Sequence, residues 1–199
     1  MDGVLLVLGH GREQSLCHRL AAVLRDELEA RGAQVRTHDL LADDFDPRLR
    51  LAPEQRHAAA CAADEDPLVH RYQQDVRWAG AYVVVHPVWW FAPPAVLKGW
   101  IDRVLVDGVA NRHDAEPPTP LLGGRRALVV QTFNAPLAAE RDAFGGITGN
   151  LWSRVVFPSV GVADVDVRAV HEVAEIDEER LARFEDELRD AARRLIDAR

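Results

Sequence analysis

Short apolar runs alternate with longer amphipathic ones along this chain. Residues 4–8 (Val-Leu-Leu-Val-Leu) predict a buried parallel strand. Residues 13–31 carry Leu16, Leu20, Val23, Leu24 and Leu28 at helical spacing, with Gly32 closing the helix. Residues 34–39 predict a second strand, and an acidic loop follows over 40–53 (Asp43-Asp44-Phe45-Asp46-Pro47). Pro53 opens a predicted helix reaching about residue 63, and Pro67 opens another reaching about 78. Residues 80–86 form strand three, followed by an aromatic loop and a helix over 94–105 with Leu97, Ile101, Val104 and Leu105 as its buried stripe. Residues 107–120, rich in Pro, Asp and Gly, make a long connection suited to a lid or substrate loop. Strand four spans 126–132, and 138–152 reads as helix. Residues 155–160 with 165–170 supply strand five or a bent pair. A charged helix over 175–199 then buries Leu181, Phe184, Leu188, Ala192 and Leu195.

Strands separated by helix-length spacers imply right-handed βαβ units and a parallel sheet covered on both faces. The expected fold class is α/β, a three-layer αβα sandwich with a five-stranded parallel sheet in the order 2-1-3-4-5. Such a sheet binds ligands at the carboxyl ends of its strands near the switch point. There the loops are 9–15, 86–93 and 132–138. No repeat, low-complexity tract or long linker divides the 199 residues, so one domain is expected over 1–199.

Charge and composition narrow the partners. A net charge of -8 argues against nucleic acid or an anionic membrane surface. No apolar run approaches the ~20 residues of a membrane span, and residues 4–8 are too short for a signal-peptide core. Two cysteines, Cys17 and Cys61, are a poor disulfide framework and fit a reducing cytoplasm. No C-x-x-C or H-E-x-x-H spacing appears, so no structural metal is expected.

The chemistry concentrates in the three loops. Gly9-His10-Gly11-Arg12-Glu13-Gln14-Ser15-Leu16-Cys17 joins a strand to a helix N-terminus, where unpaired N–H groups favour an anion. It lacks the last glycine of G-x-G-x-x-G and the P-loop lysine, and Ser15 lacks a G-x-S-x-G context. An ordinary capped turn is the bland alternative. The loop gains meaning from the next one, where His86-Pro87-Val88-Trp89-Trp90-Phe91 sets three aromatics in a row before Pro93 and Pro94. That much flat apolar surface on a loop suits a flat ligand, although a core or subunit-interface role fits each tryptophan singly. Lys98, Asp102 and Arg103 read as structural or surface charges, Trp100 as packing, and Cys17 as either a reactive thiol or a small buried residue. His38, His57, His70, His113 and His171 read as scattered surface or loop residues.

With Leu97-Lys98-Gly99-Trp100 and Asp102-Arg103-Val104 in register, residues 84–105 closely resemble the flavin loop of the NAD(P)H:quinone oxidoreductase family, whose proteins have a flavodoxin-like fold. The resemblance implies FMN, or alternatively FAD, as cofactor and NAD(P)H as co-substrate. It implies main-chain N–H groups at Val88, Trp89, Trp90 and Phe91, after Pro87, directed at the flavin's pyrimidine edge, with their side chains walling the ring. In the first loop it implies phosphate or ribityl contacts from His10, Ser15 and Leu16, while Cys17 stands where the family has Asn. In the third, Thr132, Phe133 and Asn134 occupy a flavin-contacting turn, but the family's Gly-Gly, Tyr and His are missing, so no catalytic residue is assigned. Asn111 departs from the Tyr or Phe common in the family. The implied function is a homodimeric, cytoplasmic enzyme passing a hydride from NAD(P)H through the flavin to a quinone or similar flat small-molecule acceptor, by ping-pong turnover. Two other readings stand beside it. One is a flavodoxin-type electron carrier or a regulatory subunit of a potassium efflux system. The other is a tetrapyrrole metal chelatase, whose opening Val-Leu-Gly-His-Gly-Arg resembles, with His10 and His86 facing each other as metal ligands.

Overall fold

The computed structural model describes residues 3–50 and 65–197. The helix expected over 53–63, with His57 and Cys61, lies outside them. The chain runs β1 (Gly3–Leu8), α1 (Leu16–Ala30), β2 (Val35–Asp39), α2 (Pro67–Trp78), β3 (Ala79–Pro87) and α3 (Ala95–Val104). Two short strands follow, β4 (Asn111–Arg112) and β5 (Thr119–Pro120), and then β6 (Arg126–Thr132). A helical stretch containing α4 (Ile147–Asn150) and α5 (Phe157–Ser159) leads to β7 (Asp164–Val170) and α6 (Glu178–Asp197). The main sheet is parallel throughout, in the order β2-β1-β3-β6-β7. Counting its five strands in sequence, this is the expected 2-1-3-4-5.

Side-chain alternation along the strands builds two cores. Leu5, Val7, Tyr82, Val84 and Val129 face one side and pack with α2, α3 and residues 152–162. Val4, Leu6, Val83, Val85, Leu128 and Val130 face the other and pack with α1 and α6. On α1, Leu20, Leu24 and Leu28 are wholly buried, each worth about 2 kcal/mol in apolar area removed from water. All five residues of the stripe expected on α6 are buried. No helix among the described residues is long and apolar enough to cross a membrane.

Several boundaries differ from expectation for identifiable reasons. Helix α1 starts at Leu16 rather than residue 13, because Ser15 caps it and Gln14 takes a left-handed φ of 52°. On α3 the buried residues are Leu97, Gly99, Trp100, Arg103 and Val104, with Ile101 and Leu105 only partly covered. The stripe is rotated because the acidic loop also packs on α3: a Cβ at Gly99 would stand 2.3 Å from the Pro47 carbonyl oxygen. Arg103, read as a structural or surface charge, is the former: it is buried and bonds the Asp46 carbonyl and the Asp66 carboxylate. The connection over 107–120 contains the antiparallel β4–β5 pair.

The largest correction concerns residues 138–160. The predicted helix is broken at Gly145 and Gly146, both with positive φ. The predicted strand over 155–160 is helical instead, continuing through a π-turn at Leu151–Val156 into α5. Valine-rich local preference loses to packing there: Trp152 and Phe157, five residues apart, are both buried and in ring contact at 5.7 Å. Only β7 supplies the fifth strand.

Candidate functional site

The three loops expected from the sequence converge at the carboxyl ends of β1, β3 and β6. They enclose a cleft of about 320 Å³. The first loop contributes His10, Gly11, Arg12, Leu16 and Cys17. The second contributes Pro87, Val88 and Trp89, and the third Thr132 and Asn134, with Val173 closing the side.

The first loop is built around the start of α1. Ser15 is buried as the N-cap, its Oγ accepting from the His18 amide at 3.4 Å and meeting His18 Nδ1 at 2.7 Å. It serves the cap and is not among the cleft-lining residues. The amides of Leu16 and Cys17 have no backbone acceptor among the described residues, so the positive end of a 15-residue helix opens on the cleft. His10 Nδ1 accepts from the Arg12 amide at 2.9 Å, which leaves Nε2 to carry the proton of the neutral ring. Burial, with His18 and Arg12 nearby, holds the His10 pKa below its ordinary value. Cys17 is buried with Sγ 3.4 Å from Thr132 Oγ1, and burial pushes its pKa to about 11. It is a thiol here, not a reactive thiolate.

The second loop is a two-residue reverse turn of unusual composition. Trp89 N–H donates to the Ala92 carbonyl and Ala92 N–H to the Trp89 carbonyl, both at 3.0 Å. The central residues Trp90 (φ 52°) and Phe91 (φ 54°) are both left-handed, as a type I′ turn requires. Asn-Gly is the sequence that adopts this shape cheaply; a bulky residue costs about 1–2 kcal/mol per position. The expectation that four consecutive amides face a ligand is corrected by this geometry. Val88 N–H is engaged with the Thr132 carbonyl at 2.9 Å, and Trp89 N–H closes the turn. Trp90 and Phe91 keep amides without a backbone acceptor among the described residues. The Trp90 side chain is 99% exposed, and Phe91 packs on Phe144 with ring centroids 4.0 Å apart. Neither side chain lines the cleft; Trp89 does.

In the third loop, Thr132 and Asn134 line the cleft but Phe133 does not. Phe133 is buried and stacked on His171 at 4.4 Å. His171, read as a surface or loop residue, lies in the loop after β7 but is buried, which lowers its pKa, and its Nε2 has no hydrogen-bond partner among the described residues. His38 is also buried. Its Nδ1 accepts from Trp100 Nε1–H at 3.2 Å, and its Nε2–H donates to Asp75 at 3.0 Å. Trp100 is therefore packed inside its own chain.

The pairing of His10 with His86 is also corrected. His86 is fully buried, with Nδ1–H donating to the Pro87 carbonyl at 2.8 Å and Nε2 accepting from Trp152 Nε1–H at 2.9 Å. Both ring nitrogens are committed, so His86 offers no lone pair to a metal. Among the described residues no group of three or more His, Cys, Asp or Glu side chains is placed to hold a metal ion. The His86–Trp152 bond was not legible in the sequence, because its partners lie 66 residues apart.

The cleft therefore combines an anion-favouring helix start with an apolar and aromatic wall of Pro87, Val88 and Trp89. Comparison with known proteins identifies the family. The Flavodoxin_2 family, described as having a flavodoxin-like fold, matches residues 3–195. A ribosyldihydronicotinamide dehydrogenase [quinone] of Pongo abelii is 31% identical over 168 residues, 74% of this chain and 69% of that protein. An FMN-dependent NADH:quinone oxidoreductase of Cereibacter sphaeroides is 33% identical over 138 residues, 67% of this chain and 65% of that protein. The solved NAD(P)H:quinone oxidoreductase from Methanothermobacter marburgensis superposes with a TM-score of 0.81 at 21% identity, covering 98% of this chain and 96% of that one. The chain belongs to the Flavodoxin_2 family of flavodoxin-like fold and, within it, to the NAD(P)H:quinone oxidoreductases.

Proposed function

We propose that the protein is an FMN-dependent oxidoreductase that takes a hydride from NAD(P)H and delivers two electrons to a quinone or a similar flat acceptor. The observation that carries this reading is the strained turn at Trp90 and Phe91. It leaves the Trp90 and Phe91 amides without a backbone acceptor, next in the chain to Trp89, which lines a cleft that also holds the start of α1. FMN, when bound, supplies the redox chemistry. The chain supplies the rest. His10 Nε2–H, Arg12 and the amides of Leu16 and Cys17 would hold its phosphate. The Trp90 and Phe91 amides, which have no backbone acceptor, would donate to the edge of the bound ring, where fixed dipoles would stabilise negative charge without reorganising. Pro87, Val88, Trp89, Thr132 and Asn134 wall the cleft and exclude water. Nicotinamide and acceptor use the same exposed face in turn, which gives ping-pong kinetics. Trp90, Leu137, Phe144, Ile147 and Val155 expose large apolar side chains, and this supports a homodimer.

Steady-state rates of NADH and NADPH oxidation, with a benzoquinone acceptor varied against each nicotinamide, test the reading. Parallel double-reciprocal lines that require FMN are expected. Tight FMN binding without nicotinamide oxidation would assign the chain to electron carriage instead.

A further inference from the structure

Two adjacent tryptophans do different things at the mouth of the cleft. Trp90 is almost entirely solvent-exposed. Trp89 reaches from the second loop to the first, where its indole meets the His10 ring edge-on with centroids 5.9 Å apart. The same indole covers Gly11: a Cβ there would stand 3.2 Å from it, tighter than ordinary contact. Trp89 is held at its backbone by the two reciprocal hydrogen bonds of the turn, yet its side chain is 48% exposed. It is anchored at its base, and its outer ring edge rests over Gly11. The anion-binding groups lie on the His10 side of this bridge, and the free amides of Trp90 and Phe91 follow it in the chain.

We propose, resting on the flavin reading above, that Trp89 is a clamp on the polyol–phosphate tail of the nucleotide rather than a wall for its ring. A ligand with its anion at His10 and its ring at the Trp90 and Phe91 amides must thread its tail past the Trp89 indole. Closing the indole onto His10 slows escape of the tail, and a glycine at position 11 leaves room for it to close. Trp89 thereby selects flavins that carry the tail.

The test compares FMN with lumiflavin, which has the ring and no tail, by fluorescence titration and stopped-flow release on wild type and Trp89→Ala. The clamp predicts FMN affinity falling by about tenfold in the variant, mostly through faster release, with lumiflavin affinity unchanged within about twofold. Gly11→Ala provides a second measurement. It should weaken FMN binding in wild type and have no further effect in the Trp89→Ala background. Equal losses for FMN and lumiflavin, unchanged FMN binding in Trp89→Ala, or an equal Gly11→Ala effect in both backgrounds each overturn the clamp. Where lumiflavin binds neither protein measurably, the Gly11 cycle decides. A wild type that ignores both ligands sinks the flavin reading itself, an outcome distinct from wild-type binding that Trp89→Ala fails to discriminate.

Discussion

Acid should unfold this protein in a pH range set by two buried histidines. His38 and His86 are 1% and 0% exposed. Each has its pKa lowered by burial from an ordinary 6.5 to about 4. Each is held neutral by a tryptophan N–H donated to one ring nitrogen, Trp100 to His38 and Trp152 to His86. The unfolded chain binds these protons once pH drops below 6.5, while the folded chain refuses them until pH approaches 4. Stability is therefore complete above pH 6.5 and is lost as pH falls toward 4. At about 1.4 kcal/mol per pH unit per proton, the two groups together remove roughly 4 kcal/mol by about pH 5, a large part of a typical domain's stability. Lowered values at His10 and His171 act in the same direction. Urea unfolding of the flavin-free protein between pH 7 and 5 reads this directly, as a slope of about 3 kcal/mol per pH unit below 6. His38→Asn should reduce that slope by the share of one proton, about 1.4 kcal/mol per unit. A slope under one proton in wild type, or an unaltered slope in His38→Asn, would refute the argument.

Three further outcomes are expected. Trp90→Asn places a residue tolerant of left-handed φ in the turn, and removes no packing from the isolated chain. It should raise the urea-derived stability by up to about 1 kcal/mol, and lower stability instead would show that the turn is not strained. Gly99→Ala drives a methyl group into the Pro47 backbone and should lower stability by roughly 2–3 kcal/mol, whereas an unchanged melting temperature would mean that α3 and the acidic loop are not in contact. Cys17, with its pKa at about 11, should resist iodoacetamide at pH 8 in the folded protein. Peptide mapping by mass spectrometry checks this, and rapid alkylation would contradict its burial.

Much of this architecture was legible in the residues because burial on two faces leaves an unmistakable signature. Val4-Leu5-Leu6-Val7-Leu8 had to be a central strand, since alternate residues feed both cores. The three loops around the cleft followed from topology alone. Ring pairing hid the rest. Nothing local marks Phe133 as the stacking partner of His171, or Phe91 as that of Phe144, so both were expected at a ligand. The same holds for His38, whose partners Trp100 and Asp75 lie far away in sequence. One signal was available and overridden: Gly145-Gly146 inside a predicted helix is a turn marker, and it marks the break. The engagement of the Trp89 amide could not be foreseen, because it depends on a turn type that Trp-Phe rarely adopts, whereas that of Val88 continues the β3–β6 ladder.

The account rests on a flavin ring hydrogen-bonded by the two amides that the turn leaves free. Residue-resolved amide exchange by NMR, with and without FMN, measures that contact. FMN should slow exchange at Trp90 and Phe91 while Val88 and Trp89, already bonded within the chain, change little. Binding of FMN that leaves Trp90 and Phe91 exchanging as fast as before would contradict the account.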